Sequence, residues 1–159
     1  MWDAEGGTML ELDDLRATKL LGDFSDQHLD IIKKISLKKE YRTGDIIFAE
    51  GDYAGYLYAV HDGKVSLEIE KNNEIKIAIG TIARGAAFGF SALVDTEDKR
   101  YTTSAKALTD VHLIAWRAAD LEELFYSDFE LGFKFMKRIA AIAKKRLQIR
   151  NVQFLDIYS

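Results

Sequence analysis

Between Lys38 and Ile79 every apolar run is short and ends at a turn-forming pair. That spacing suits antiparallel strands and leaves no room for a long helix. Lys38 to Arg42 alternates polar and aromatic residues and stops at Thr43-Gly44-Asp45. Ile46 to Ala49 is a compact apolar run closed by Glu50-Gly51-Asp52, and Tyr56 to Val60 gives way to Asp62-Gly63, a tight-turn dipeptide. Lys64 to Glu70 alternates as a half-buried strand should. Asn72-Asn73 then turns the chain, and Ile75, Ile77 and Ile79 alternate on the way back. Thr103 to Leu108 and Val111 to Trp116 add two more strands. A series this regular predicts an all-β sandwich or barrel.

Helices are expected on either side. Leu12 to Leu21 is a short amphipathic segment. Ser25 suits the N-cap of a second, running from Asp26 to Ile35, in which Leu29, Ile31, Ile32 and Ile35 recur at roughly helical spacing. From Ala119 onward Gly132 is the single glycine, and the pattern reads as helix to about residue 155. The expected organisation is a flexible N-terminal segment over residues 1–11 and one domain over residues 12–159, which includes the helix at about 119–155.

One segment departs from the strand pattern. Arg84-Gly85-Ala86-Ala87-Phe88-Gly89 places two glycines within five residues, where a backbone turns tightly without side-chain clashes. The apolar run Phe90 to Val94 then suits one or two helical turns. A glycine turn leading into a helix start aims N–H groups at an anion, to which Arg100-Tyr101-Thr102-Thr103 would add a guanidinium and hydroxyls. The same spacing also describes an ordinary corner between strand and helix, so the segment alone leaves both readings open.

The run from Tyr41 to Asp52 (Tyr-Arg-Thr-Gly-Asp-Ile-Ile-Phe-Ala-Glu-Gly-Asp), then Leu57 to Val65, then Phe88-Gly89, resembles the signatures of one family. These are the cyclic nucleotide-binding domains of the catabolite-activator and Fnr-like regulators, and the resemblance covers roughly Leu20 to Leu147. It implies a mainly β fold, an eight-stranded antiparallel double-stranded β-helix (jelly roll) with N-terminal helices and a long C-terminal helix. It also implies a cassette for ribose and cyclic phosphate, here Phe88, Gly89, Phe90, Ser91, Ala92, Arg100, Tyr101, Thr102 and Thr103. The final helix of such domains reports occupancy or forms a dimer.

Two positions depart from the family pattern. Nucleotide-binding members typically follow Phe-Gly with a glutamate that accepts from the ribose 2′-hydroxyl, and Phe90 stands there instead. They also carry an arginine, often after proline, that pairs with the phosphate. Counting back from Ala107 puts Tyr101 at that position, with Arg100 one residue early and Lys99 where the proline would stand; the chain has no proline. A one-residue slip along a strand turns a side chain to the other face. Each lost contact is worth about 1.5–3 kcal/mol, and losing both lowers affinity roughly a thousandfold or more. Weak or absent binding of cAMP and cGMP is therefore expected, and no cofactor is assigned. What remains is either affinity for a small anion, with Arg84 and Arg100 supplying charge, or collapse with Phe90 and Tyr101 turned inward. Burial is worth roughly 1.5–3 kcal/mol per ring, which puts collapse ahead.

Composition narrows the class. At 159 residues and 18.0 kDa the chain can bury one core. With no cysteine it holds no disulfide scaffold, iron–sulfur cluster or thiolate zinc site. The acidic start and the lack of any membrane-length apolar run predict a cytoplasmic protein with no membrane partner. A net charge of −4 argues against wholesale nucleic-acid binding. Family regulators continue into a helix-turn-helix domain, for which this chain has no room before Ser159, so direct DNA binding is not expected. His28, His61 and His112 form no His-x-His pair, and no nucleophile–base constellation stands out, so no enzyme, metal or haem site is expected.

The C-terminal helix carries the partner signal. Lys134, Lys137, Arg138, Lys144, Lys145, Arg146 and Arg150 fall in a stretch with no acid between Glu130 and Asp156. A solvated face near a helix C-terminus accounts for them most simply; a surface for DNA phosphates or an acidic partner is the alternative. Phe129, Phe133, Met136, Ala140, Ala143, Leu147 and Phe154 follow 4-3 spacing, interrupted by Arg150, and Phe135, Ile139, Ile142 and Ile149 form a second stripe. The two stripes cover roughly 200° of the helix, about twice what packing on one roll needs. A homodimer through Phe133, Met136, Ala140, Ala143 and Leu147 is therefore expected. The expected function is a non-enzymatic sensor or regulatory module signalling through this helix, with a possible partner protein. The alternative is a ligand-free dimerisation or protein-interaction scaffold; a cyclic nucleotide receptor or a fragment of a DNA-binding regulator ranks lower.

Overall fold

Each alternating run becomes a strand in the computed structural model of the chain, which describes residues 10–94 and 98–159. In chain order these are β1 (Ser36–Tyr41), β2 (Ile46–Phe48), β3 (Tyr56–Asp62), β4 (Val65–Lys71), β5 (Ile75–Ile82), β6 (Ala87–Phe88), β7 (Ser104–Ala107) and β8 (Val111–Arg117). They form two antiparallel four-stranded sheets, ordered β1-β8-β3-β6 and β2-β7-β4-β5. The expected eight-stranded jelly roll is the observed fold. Asn72 and Asn73 turn β4 into β5, both in the left-handed region at φ 61° and 58° that asparagine tolerates best after glycine. β6 was not separable from the sequence, because two residues cannot show an alternation. It is fixed by pairing Tyr58 with Phe88 and Ala59 with Ala87.

Alternation also sorts the side chains. Tyr58, Val60, Phe88, Leu113 and Ala115 from the first sheet meet Phe48, Val65, Ala105 and Ala107 from the second in one buried cluster. Each large apolar side chain sunk there contributes about 1.5–3 kcal/mol. The cluster occupies the interior of the roll, between the two sheets.

Two helices precede the roll. α1 (Leu12–Arg16) is shorter than the expected Leu12–Leu21. The reason is Thr18, whose hydroxyl donates to the Leu15 carbonyl at 2.7 Å and accepts from the Leu21 amide at 3.2 Å, drawing the backbone into a turn. Order begins before it: Leu10 is buried and the Glu11 amide donates to Asp14 Oδ2 at 2.8 Å. Residues 1–9 of the segment expected to be flexible lie outside the described residues. α2 (Asp26–Lys34) starts as expected, Ser25 Oγ accepting from the His28 amide at 3.2 Å.

The helical third is not continuous, contrary to the expected helix at about 119–155. α3 (Ala118–Ser127) ends at Asp128, and α4 runs Phe129–Ile157. Asp128 sits at φ −140°, ψ 89°, and its carboxylate accepts from the Leu131 amide at 3.0 Å, capping the new helix. The chain divides into two compact units, one up to Glu123 and one over Leu124–Ser159. In the second, the Phe125 and Phe135 rings meet at 5.0 Å between centroids. A Cβ on Gly132 would lie 2.8 Å from the Phe125 Cβ, which is why the lone glycine of this region stands there. Among the described residues, no helix is long and apolar enough to cross a membrane.

Candidate functional site

β6 leads into Gly89 at φ 85°, ψ 34°, a left-handed conformation that glycine adopts at no steric cost. A Cβ there would also approach the Tyr56 carbonyl to 3.1 Å. The helical turns expected over Phe90 to Val94 shrink to a single 3-10 turn, Phe90–Ala92, closed by the Leu93 amide donating to the Phe90 carbonyl at 2.9 Å. Not every amide of the glycine turn faces the roll as expected. The Gly85 N–H donates to the Val60 carbonyl at 2.7 Å, and Arg84 is exposed.

Arg100 and Tyr101 take opposite sides of the backbone. Arg100 is 56% exposed; its guanidinium donates to Asp98 Oδ2 and to the Gly51 carbonyl, each at 2.8 Å. Tyr101 is 5% exposed and turns inward, its ring stacked on Phe48 at 3.6 Å between centroids and 11° between planes. Its hydroxyl donates to the Tyr56 carbonyl at 2.6 Å and accepts from the Tyr56 amide at 3.1 Å. Collapse thus occurs at Tyr101 and only halfway at Phe90, which is half-buried. Ser91 and Thr103 are also half-buried, Thr102 is exposed, and Phe88 and Ala92 are buried. Lys99, where the family's proline would stand, forms an ion pair with Glu122 of α3 at 3.0 Å.

Sequence reasoning missed the company Tyr101 keeps. Phe48, Tyr58 and Phe88 form a stacked set, with Tyr58 at 6.0 Å from Phe48 and 5.1 Å from Phe88. Tyr56 lies beside Tyr58 at 6.0 Å, and Lys39 Nζ sits 4.9 Å over the Tyr56 ring. The available signal was the recurrence of aromatic residues at Phe48, Tyr56, Tyr58, Phe88 and Tyr101, on or beside the strands. Burial raises the Tyr101 phenol to about 12, the hydrogen bond to the Tyr56 backbone opposing it, and burial raises Tyr58 and Tyr41 as well. Among the described residues the buried polar side chains are Thr18, Ser66 and Ser104, so no charged group shares this interior. The arrangement offers ring faces and neutral hydroxyls.

The histidines lie on α2, β3 and β8, His61 and His112 on neighbouring strands. His61 is 3.9 Å from Asp14, and His112 is 3.8 Å from Glu40. Burial, reinforced by the Arg84 charge and opposed by Asp14, holds His61 below its ordinary range. Among the described residues no group of three or more His, Cys, Asp or Glu is placed to hold a metal.

On α4 the two expected stripes separate. Phe135 and Ile139 are buried, whereas Phe133 is 71% and Leu147 60% exposed. Ala140 and Ala143 are exposed with them, and Met136 is half-buried. The basic residues are not C-terminal cations, because the last turn of α4 contains none.

Residues 38–128 match the sequence profile of the cyclic nucleotide-binding domain. The chain is 26% identical over 159 aligned positions to the cAMP-dependent protein kinase regulatory subunit of Debaryomyces hansenii, with 89% of this chain and 33% of that protein covered. It therefore spans about a third of the length of that relative. A protein from Geobacter metallireducens GS-15, assigned as cyclic nucleotide-binding, has a similar structure at 29% identity and a TM-score of 0.77, covering 87% of this chain and 99% of that one. The Thermus thermophilus catabolite activator protein shares the fold at 24% identity and a TM-score of 0.72, covering 89% and 63%.

Proposed function

Because this chain belongs to the cyclic nucleotide-binding domain family, we propose that it is a non-enzymatic regulatory module that binds cAMP and cGMP weakly or not at all and signals through its C-terminal helix. The observation that carries this reading is the exchange at the cassette: Arg100 faces outward, and the inward position is taken by Tyr101 stacked on Phe48. A cyclic phosphate arriving there would meet a ring where the family supplies a guanidinium, and Phe90 offers the ribose no acceptor. The cassette assigned to any ligand is Phe88 to Ala92 with Arg100 to Thr103.

The module acts in the cytoplasm as a homodimer, paired along Phe133, Met136, Ala140, Ala143 and Leu147. A regulatory event moves α4 between two arrangements, which requires that the regulator bind them with different affinity. Direct DNA reading is not part of the proposal. The stacked interior also favours a second reading, a ligand-free scaffold that keeps the roll only to present α4.

Isothermal titration of cAMP and cGMP at low salt tests the first reading. No heat at tens of micromolar nucleotide is expected; a submicromolar Kd for either would overturn it. A structure grown in sulfate separates the two readings, since an anion held by the Ser91 backbone supports a sensor and an undisturbed Tyr101–Phe48 stack supports the scaffold.

A further inference from the structure

The charge on α4 is not placed as a lone helix would place it. Cations favour the last turn, beside the free carbonyl ends. Here that turn has none, and all seven basic residues lie between Lys134 and Arg150 with no acid among them. With Glu130 and Asp156 included, α4 carries +5 in a chain whose net charge is −4. Lys134 with Arg138, and Arg146 with Arg150, stand four residues apart, where like charges repel along one face. Burial first, and then the Arg150 charge, lower the pKa of Arg146.

The second observation is apolar and lies on the same arc. At about 100° per residue, Lys134, Lys137, Arg138, Lys144 and Lys145 share an arc of about 120°, and Val152 and Leu155 continue it toward the C-terminus. Val152 is 59% and Leu155 65% exposed. Neither falls on the Phe133–Leu147 seam or on the buried Phe135–Ile139 stripe, so both stay uncovered when the seam is paired. The arc is therefore basic over about three turns, from Lys134 to Lys145, and carries exposed apolar side chains at Val152 and Leu155 near its end. A nucleic acid matches the cations but not the apolar end, and a membrane surface would be met by the exposed Phe133–Leu147 stripe rather than by this arc.

We propose that this arc, from Lys134 to Leu155, docks an acidic amphipathic helix of a partner protein. Carboxylates of that helix meet Lys137, Lys144 and Lys145, and an apolar end covers Val152 and Leu155. The span is about 32 Å, or six turns of partner helix. The inference rests on the proposed function only in taking α4 as the output element. It requires neither an empty roll nor a dimer.

The test uses the full chain and two labelled 22-residue helical peptides, one with four glutamates along one face and two leucines at one end, the other with lysine for each glutamate. Fluorescence anisotropy should show the glutamate peptide binding at micromolar concentration, at least tenfold more weakly in 300 mM than in 50 mM NaCl, with the lysine peptide unbound. The double variant Lys137→Glu/Lys145→Glu should reverse that preference, and Leu155→Ala should weaken the glutamate peptide several-fold. Sedimentation of the same variants reads the dimer separately. Equal binding of the two peptides, no binding of either, or tighter binding of duplex DNA or phosphatidylserine vesicles than of the glutamate peptide overturns the proposal.

Discussion

Tyr101 and Tyr56 are joined twice through one atom: the Tyr101 hydroxyl donates to the Tyr56 carbonyl at 2.6 Å and accepts from the Tyr56 amide at 3.1 Å. A single phenol thereby satisfies both backbone groups of the first residue of β3. Tyr101→Phe keeps the stack on Phe48 and leaves both backbone groups without that partner. The expected cost is about 1–3 kcal/mol in urea unfolding; a change under about 0.3 kcal/mol would mean that the bonds do not support the roll.

The same phenol gives stability a pH dependence. An unfolded tyrosine titrates near 10, whereas burial raises Tyr101 to about 12. A folded pKa above the unfolded one gives stability that is full below pH 10 and lost as pH rises through 12, because the unfolded chain releases the proton first. Urea midpoints should be level from pH 7 to about 10 and then fall. Tyr101→Phe should make that fall shallower without abolishing it, since Tyr58 and Tyr41 are raised too.

Arg100 provides the opposite case. Its guanidinium is largely exposed and engaged with Asp98 and the Gly51 carbonyl. Exposed pairs of this kind contribute about 0–1 kcal/mol. Arg100→Ala should therefore change stability by less than about 1 kcal/mol and leave nucleotide titrations as they were. A fall in affinity for any anion would place Arg100 in the site after all.

Gly132→Ala tests the junction of α3 and α4. Alanine improves helix propensity by about 1 kcal/mol. Its Cβ would, however, sit 2.8 Å from the Phe125 Cβ and 3.1 Å from its Cα, neither of which can swing aside. Overpacking costs typically 1–3 kcal/mol, so a net loss of about 1 kcal/mol is expected by thermal unfolding. A raised Tm would show that the helices simply move apart.

Ala143→Glu tests the seam. Paired α4 helices would bury that carboxylate without a partner, at a cost of about 3–5 kcal/mol. Sedimentation should find the parent chain dimeric and the variant monomeric at tens of micromolar; a monomeric parent refutes the seam.

How far the sequence led depended on whether a signal was local. Seven strands could be read because each is an alternating run such as Lys64 to Glu70 or a compact apolar run such as Ile46 to Ala49, set off by turn signals, but Ala87–Phe88 is too short for either and becomes a strand through β3. The helix boundary at Asp128 was legible in principle, as an N-cap residue three positions before Leu131, but the apolar periodicity around it concealed the break. At the site, counting residues back from Ala107 separated Arg100 from Tyr101, and the two indeed face opposite ways. The stacking of Tyr101 on Phe48 was not legible, because it joins residues 53 positions apart through the pairing of β2 and the turn after it with the segment that leads into β7.

The pairing of β1 with β8, from Ser36 opposite Trp116 to Tyr41 opposite Val111, also sets a timetable. The first strand has no partner until a segment 70 to 80 residues later exists. At about 5–20 residues per second, synthesis leaves β1 waiting on the order of 4–15 s. In refolding, closing so distant a pair is the slow search, on a scale of milliseconds to seconds. A chain without proline lacks the slower phase of tens of seconds that imide isomerisation imposes. While it waits, β1 is an open edge, and Lys38, Lys39 and Glu40 give it the charge that discourages pairing with another nascent chain.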